Sequence, residues 1–273
     1  MPSSDRGCLP APPSALASTL SEMPKNRTLG ILGSRVDSVS MDDAQQRILE
    51  LLAQRRFAQV ITLGSEMAML ARRDPVYRDV VNAADLVVPD TIGVVYAARL
   101  LGQPVRERVA GIELLERVCA SCARHQVGVF LLGGAAGVAD QAGAALQRRF
   151  AGLLISGTNH GYFPEADDAS VIGRIQASGA RLVLVGLGFP KQELWVRKHA
   201  APLGPVVCIG IGGSLDVISG RLQRAPQVMR RLGLEWLYRL FKEPKRLGRQ
   251  LVLPQFAVLV AGQALRERLS SKR

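Results

Sequence analysis

The chain has 273 residues, of which 48% are hydrophobic, and 35 basic against 23 acidic residues give a formal net charge of +12. This length accommodates one large α/β domain, or a domain with an appendage, and the apolar content excludes a wholly disordered protein. No apolar stretch reaches the roughly 18–20 uninterrupted residues that span a bilayer. The four cysteines are too few for a disulfide scaffold.

Short runs rich in β-branched residues alternate with helical patterns from about residue 30 onward. Ser40, with Asp43 three residues later, forms a capping box that predicts a first helix extending to Arg56. The predicted strands are residues 58–62, 86–89, 128–132, 153–157, 181–185 and 206–211. Later helices are predicted over residues 94–101, 111–125, 165–178 and 190–200. A further helix is predicted to start after residue 64, and another to end at residue 150. This alternation is typical of an α/β fold with a Rossmann-like, mostly parallel sheet and helices on both faces.

The strand pattern stops near Gly220, and the charge changes at the same place. Residues 221–273 contain thirteen Lys and Arg but only three acids, so this part holds about +10 of the net charge. We therefore predict a core at residues 28–220 and a C-terminal helical basic appendage at 221–273 that meets an anionic partner.

Two segments outside the predicted core lack its pattern. Residues 1–27 are rich in Ser, Pro and Ala and lack the pattern of a signal peptide, so we expect a disordered leader on a cytoplasmic protein. Residues 251–265 are the most apolar part of the tail but contain Pro254, and they fit either an interfacial or a packed helix.

In open parallel sheets, ligands bind beyond the carboxyl ends of the strands. Asp90 directly follows an apolar strand, so it is either an acid–base residue or the N-cap of the next helix. Gln192 could orient a sugar hydroxyl or merely occupy a first turn, and Asp216 could be a ligand or a turn acid. Glycines at strand ends, such as Gly133 and Gly134, let backbone N–H groups approach a phosphate, although tight turns need glycine for structural reasons alone.

Several familiar site patterns are missing from the sequence. It has no Walker A sequence, no Gly-x-Ser-x-Gly elbow, no complete Gly-x-Gly-x-x-Gly, and no Asp-x-Asp pair to hold a divalent cation on a nucleotide diphosphate. Cys119 and Cys122 favour small core residues over a metal site, and the three histidines share no metal-binding spacing. A bound diphosphate would therefore need arginines, and the tail offers Arg224, Arg239, Arg246 and Arg249.

Seven ordered motifs carry a resemblance to a known family. They are Asp74-Pro75 with Asn82-Ala-Ala-Asp-Leu-Val-Val-Pro-Asp90, Arg108-Val-Ala-Gly-Ile-Glu-Leu114, Gly188-Phe-Pro-Lys-Gln-Glu193, Gly212-Gly-Ser-Leu-Asp216, Arg224-Ala-Pro226, Glu235-Trp-Leu-Tyr-Arg239 and Glu243-Pro-Lys-Arg246. With them, over roughly residues 30–249, the chain resembles the WecG/TagA/CpsF glycosyltransferases. The resemblance implies a Rossmann-like core with a C-terminal helical appendage, and an inverting transferase that needs no metal or other cofactor.

The resemblance also assigns roles to individual residues. Asp90 matches the proposed catalytic base, while Thr62, Gln192 and the charged Arg108 match residues of the donor pocket. The arginines thought to close over the diphosphate correspond to Arg239, Arg246 and Arg249. This chain departs from the family pattern at Gly64, where Asn is frequent, at Thr91, where Gly is frequent, and at Glu113, where Asp is frequent. The missing amide at Gly64 leaves the sugar identity open.

The expected reaction moves a sugar resembling N-acetylmannosamine from a UDP-sugar donor to a polyprenyl-diphosphate-linked sugar, in cell-surface polysaccharide or teichoic-acid-type synthesis. The expected location is an anionic membrane surface, the inner face of the cytoplasmic membrane, where the apolar tail could also support a homo-oligomer. UDP-glucose or UDP-glucuronate are alternative donors. A nucleic-acid-binding α/β protein and a nucleotide-dependent oxidoreductase are alternatives of other classes, although the nearly neutral body does not favour nucleic acid as a partner.

Overall fold

A computed structural model describes residues 28–103, 105–231, 237–238 and 252–270. Six strands form one sheet, in the order β4-β3-β8-β7-β5-β6, in which all neighbours are parallel. A separate antiparallel hairpin, β1 and β2, precedes it. The strands are β1 (Thr28–Ile31), β2 (Ser34–Asp37), β3 (Ala58–Leu63), β4 (Leu86–Pro89), β5 (Val129–Gly133), β6 (Ile155–Asn159), β7 (Leu182–Gly186) and β8 (Val207–Gly210). The expected parallel α/β sheet is therefore confirmed.

The helices cover both faces of this sheet. They are α1 (Met41–Ala53), α2 (Ser65–Arg73), α3 (Pro75–Asn82), α4 (Ile92–Leu100), α5 (Gly111–Arg124), α6 (Val138–Arg149), α7 (Asp168–Ala177), α8 (Lys191–Lys198), α9 (Ala200–Leu203), α10 (Ser214–Ile218), α11 (Gln227–Arg231) and α12 (Val252–Ser270), with a 3₁₀ turn at Glu165–Asp167 before α7. Successive strand residues point to opposite faces. Val60 accordingly packs with α1, α5 and α6, whereas Ile61 packs with α2, α3 and α4.

Local signals explain where several helices begin. Ser40 and Asp43 form the predicted capping box at α1, with Asp43 N–H donating to Ser40 Oγ at 3.1 Å. The sequence reading did not separate α3, although Asp74 caps it by accepting the Tyr77 N–H at 3.1 Å and Pro75 stands at its first position. An N-cap acid followed by proline is a known helix-start signal.

Strand β6 begins two residues later than predicted. Leu153 is buried, as a strand residue would be, but the register shifts between Val129 and Phe130, and regular pairing starts at Ile155. As an edge strand, β6 is only half-buried over most of its length, so its apolar pattern is weak.

The tail helix α12 packs on the core. Phe256, Val260 and Ala264, spaced four residues apart, are buried against the helices α2 and α4. Gln263 accepts the Leu32 N–H and donates to the Gly30 carbonyl, both at 2.9 Å, and so ties α12 to the hairpin. Residues 252–265 therefore form a helix with one packed face, and whether its exposed face meets an interface stays a prediction. No helix in the described ranges is long and apolar enough to cross a membrane.

Some expectations fall outside the described residues. They are the leader at 1–27 and the tail arginines Arg239, Arg246 and Arg249. The division into a core at 28–220 and an appendage at 221–273 stays a prediction.

Candidate active site

A cavity of about 650 Å³ opens beyond the carboxyl ends of β3, β4 and β8. β3 and β8 are neighbours in the sheet, but β3 is connected to β4 on one side and β8 is connected to β7 on the other. Where the connections of two neighbouring strands run to opposite sides, a crevice forms at the carboxyl ends of the strands, and this is the usual ligand site of such sheets. The volume falls in the range of small-molecule sites.

Three helix starts contribute to the wall of this cavity. They belong to α2 at Ser65, α4 at Ile92 and α5 at Gly111. None of the three receives a hydrogen bond from the side chain of its own N-cap residue, although the first N–H of α2 donates to Thr91 Oγ1 at 3.3 Å and the first N–H of α5 donates to Asp90. Helix starts carry unsatisfied N–H groups and a partial positive charge, so their convergence favours an anionic ligand.

Asp90 lies half-buried in the cavity wall, immediately after β4. Its Oδ1 accepts the N–H of Gly111, the first residue of α5, at 2.7 Å. The N-cap of α4 is Thr91, so the alternative that Asp90 caps this helix is wrong. The carboxylate is instead held against α5, with its orientation fixed by a backbone group.

Thr62 and Gly64 line the cavity on the β3 side. The Thr62 hydroxyl donates to the Gly210 carbonyl of β8 at 2.9 Å, so toward a ligand it can only accept. Gly64 is the N-cap position of α2, and a Cβ there would lie 3.3 Å from the Thr91 methyl. Gly64 and Thr91, which both depart from the family pattern, are thus neighbours in one wall.

Arg108 also lines the cavity, on the loop before α5. Within the described residues its guanidinium forms no ion pair. Its neighbour Arg106, by contrast, pairs with Asp43 at 2.5 Å. Arg108 therefore adds a positive charge to the wall, beside the partial positive charges of the helix starts.

Gln192 reaches the cavity from the first turn of α8, but its amide is held by the protein. Its Oε1 accepts the Gly212 N–H at 3.0 Å, and its Nε2 donates to the Glu193 carboxylate at 2.6 Å. Glu193 is 1% exposed and receives a second bond from the Tyr77 hydroxyl at 3.3 Å. Burial raises the pKa of Glu193 to about 7.

Three predicted site residues lie elsewhere. Gly133 and Gly134 end β5, which is separated from β8 by β7, and they do not line the cavity. Close packing explains why both positions are glycine. A Cβ on Gly133 would lie 2.5 Å from the Gly186 carbonyl oxygen, and a Cβ on Gly134 would lie 2.6 Å from Val138 Cγ1. Asp216 lies in α10 and is likewise not part of the wall, whereas Gly213 and Ser214 just before it are.

Sequence reasoning missed one side of the cavity, the wall built by α12. Leu253, Phe256, Ala257 and Val260 close the cavity opposite the strand ends. The four-residue spacing of Phe256 and Val260 marked a buried helix face, but nothing local showed what that face would cover. Glu66 of α2 and Tyr96 of α4 also line the cavity and were not predicted.

The cysteines and histidines in the described part of the chain do not line the cavity. Cys119 and Cys122 are fully buried on α5, and burial raises the pKa of both thiols, which agrees with small core residues. His199 Nε2 lies 2.9 Å from Asp168 Oδ2, in a separate cluster with Trp195. No group of three metal-binding side chains occurs among the described residues, and metal independence stays a prediction.

A cavity that joins an oriented carboxylate to three helix starts and an arginine suits an enzyme that binds an anion and moves a proton. The chain matches the model of the glycosyl transferase WecG/TagA/CpsF family over residues 29–270. It is 35% identical over 221 residues to the N-acetylglucosaminyldiphosphoundecaprenol N-acetyl-beta-D-mannosaminyltransferase of Bacillus spizizenii, covering 81% of this chain and 84% of that protein. A protein of the same name from Staphylococcus aureus is 33% identical over 245 residues, with 89% and 96% covered.

The chain therefore belongs to the WecG/TagA/CpsF family, and it is a glycosyltransferase. The family assignment from the seven motifs is confirmed. The nucleic-acid-binding and oxidoreductase alternatives are set aside, because neither is the activity of this family.

Proposed function

We propose that this enzyme transfers N-acetylmannosamine from its UDP derivative to N-acetylglucosamine carried on a polyprenyl diphosphate. Relatives that are 33–35% identical are named as mannosaminyltransferases acting on N-acetylglucosaminyldiphosphoundecaprenol. The structural observation that carries the proposal is the meeting of Asp90, Arg108 and the starts of α2, α4 and α5 in one cavity.

The donor diphosphate is proposed to bind where the helix starts converge. Backbone N–H groups in the first turns of α2, α4 and α5, apart from the Gly111 N–H that Asp90 occupies, would donate to phosphate oxygens, and Arg108 would balance part of the phosphate charge. These groups act most strongly on the charge that UDP gains as it leaves. Arg239, Arg246 and Arg249 lie outside the described residues, and their closing over the diphosphate remains a proposal.

The proposed chemistry is a single displacement. Asp90 takes the proton of the acceptor hydroxyl, whose oxygen forms a bond to C1 of the donor sugar. The bond from C1 to the phosphate oxygen breaks, its electron pair leaves with UDP, and the configuration at C1 is inverted. The Gly111 N–H, 2.7 Å from Oδ1, holds the carboxylate in one orientation for this step.

The apolar side of the cavity suits an acceptor that carries a lipid. Tyr96 and Leu100 of α4 are exposed and line the cavity, and Ala257 of α12 lines it as well. On the outer side of α12, Val258, Leu265 and Leu269 are exposed as well. These surfaces, together with the basic tail, support peripheral binding at an anionic membrane surface.

The test is UDP release with UDP-N-acetylmannosamine, UDP-glucose and UDP-glucuronate as donors and a short-chain lipid-diphosphate N-acetylglucosamine as acceptor. We expect release only with the first donor and only with acceptor present. Asp90→Asn should lower kcat by about 10²–10⁴-fold, the usual contribution of a positioned base. Asp167→Asn is the matched control, since Asp167 is exposed far from the cavity wall and makes no capping bond. Equal kcat for Asp90→Asn and Asp167→Asn would exclude Asp90 as the base.

A further inference from the structure

A buried carboxylate lies directly behind the cavity wall. Glu193 is in the first turn of α8, beside Gln192, and is almost completely buried, yet it does not line the cavity. Among the described residues no charged partner faces it: its side chain meets the Gln192 amide, the Tyr77 hydroxyl and its own backbone N–H, and its backbone carbonyl accepts from Gln59 Nε2 at 3.1 Å. An unpaired buried carboxylate is costly to keep, so a role beyond packing is worth seeking.

The two neighbours of the Gln192 amide dictate its orientation. The Gly212 N–H can only donate, so the amide oxygen must face it, as observed at 3.0 Å. An ionised Glu193 can only accept, so the amide nitrogen must face it, as observed at 2.6 Å. Position 210 must be glycine for the amide to sit here, because a Cβ on Gly210 would lie only 2.7 Å from the Gln192 nitrogen.

Gly212 connects this arrangement to the ligand. It belongs to the turn at residues 211–214 that lines the cavity after β8, and its φ of +51° places it in the left-handed region. A bond to the Gly212 N–H therefore fixes the conformation of a turn that faces the bound molecule. The Gln192 nitrogen uses one of its two hydrogens on Glu193.

We propose that Glu193, supported by Tyr77, is a positioning residue that sets the orientation of Gln192 and, through it, the cavity-lining turn that receives UDP. The inference rests on the proposed function for the identity of the ligand. Glu193 would thus affect the binding of UDP through Gln192, without contacting UDP itself.

The arrangement predicts how UDP binding depends on pH. With a pKa of about 7, raised mainly by burial, Glu193 is ionised above neutrality and protonated below it. Of the described groups that face it, Tyr77 of α3 is the one that titrates, and burial together with the nearby Glu193 raises the Tyr77 pKa, so this hydroxyl stays protonated. Protonation of Glu193 turns the acceptor of the Gln192 N–H from a charged carboxylate oxygen into a neutral one, so the hydrogen bond that holds this amide loses its charge assistance and weakens.

The experiment measures UDP affinity by titration calorimetry from pH 6 to pH 9 for the wild-type enzyme and for Glu193→Gln. We expect Glu193→Gln to bind UDP about tenfold more weakly at pH 8, as for a charge-assisted hydrogen bond that becomes a neutral one, and equally at pH 6. The titration of UDP itself is common to both proteins and cancels in the ratio. Glu165→Gln, in the exposed 3₁₀ turn, is the matched control and should follow the wild type.

A second variant gives a readout that a purely structural role would not move. Tyr77→Phe removes a hydrogen bond that favours the ionised form of Glu193, so the pH at which UDP affinity changes should rise. If Glu193→Gln does not fold, this shift alone carries the test.

The outcomes separate the two proposals. If the wild-type enzyme does not bind UDP at any pH, the proposed function fails. If it binds UDP, and the ratio to Glu193→Gln is one throughout, the positioning role fails. A ratio that is constant with pH, with no shift in Tyr77→Phe, also overturns it.

Discussion

Replacing Glu193 by glutamine should change the stability of the fold in a pH-dependent way. The folded protein holds a proton on Glu193 up to about pH 7, whereas an unfolded chain releases it near 4.5. Between these values the folded state binds more protons than the unfolded state, so its free energy of unfolding falls as the pH rises. The stabilisation is complete below pH 4.5 and is lost above pH 7.

The size of the effect follows from the shift in pKa. Two and a half pH units, from 4.5 to about 7, at about 1.4 kcal/mol each correspond to about 3 kcal/mol. Most of this change lies between pH 5 and pH 8, because at pH 5 the folded carboxyl is protonated and the unfolded one is largely ionised. Glu193→Gln cannot titrate, so the wild-type protein should lose about 2–3 kcal/mol more than this variant over that interval.

Urea unfolding at pH 5 and pH 8, followed by circular dichroism, measures this difference. Other titrating groups, including the histidines, contribute equally to both proteins and cancel. The exposed Glu165→Gln variant should lose as much stability between the two pH values as the wild-type protein. If wild type and Glu193→Gln show the same change in unfolding free energy, Glu193 is ionised throughout and the reasoning from its burial is wrong.

Two further substitutions test the cavity wall. Arg108→Gln should raise the dissociation constant of UDP by about 10–100-fold, the usual range for a charge-assisted hydrogen bond. The control Arg106→Gln removes an exposed Arg from the same loop and should leave this constant unchanged. Equal effects of the two substitutions would show that UDP responds to the net charge of the loop and not to a hydrogen bond from Arg108. Gly64→Asn should raise the KM for the donor, because its Cβ would contact the Thr91 methyl at 3.3 Å; adding Thr91→Gly should restore the KM, and a double variant no better than the single one would show that the two positions act independently.

Much of this fold could be predicted from local signals. The Ser40 and Asp43 capping box located α1, and the β-branched runs located the strands, because both depend on neighbouring residues. Asp90 could be placed at the cavity because the carboxyl ends of parallel strands meet at one edge of the sheet. The start of β6 was misplaced because an edge strand lacks a strong apolar pattern.

The rest depended on which elements become neighbours. Gly133 resembled a phosphate-binding turn, but the strand order puts β5 away from the cavity, and no local pattern encodes that order. The bond from Tyr77 to Glu193 spans 116 residues, and the wall formed by α12 joins parts of the chain that are even further apart. Such contacts are set by packing of whole elements, which the sequence of either partner alone does not reveal.

Helix α12 has two apolar sides with different surroundings. At about 100° per residue, Phe256 and Val260 point to one side of the helix, while Val258, Leu265 and Leu269 point to the other. A bilayer resting on the outer side would be only one helix diameter, about 10 Å, from the donor cavity. Detergent chains would be attracted to both sides. The choice of solubilising agent would then alter measured turnover, with small micelle-forming detergents competing with the acceptor and lipid nanodiscs leaving the cavity open.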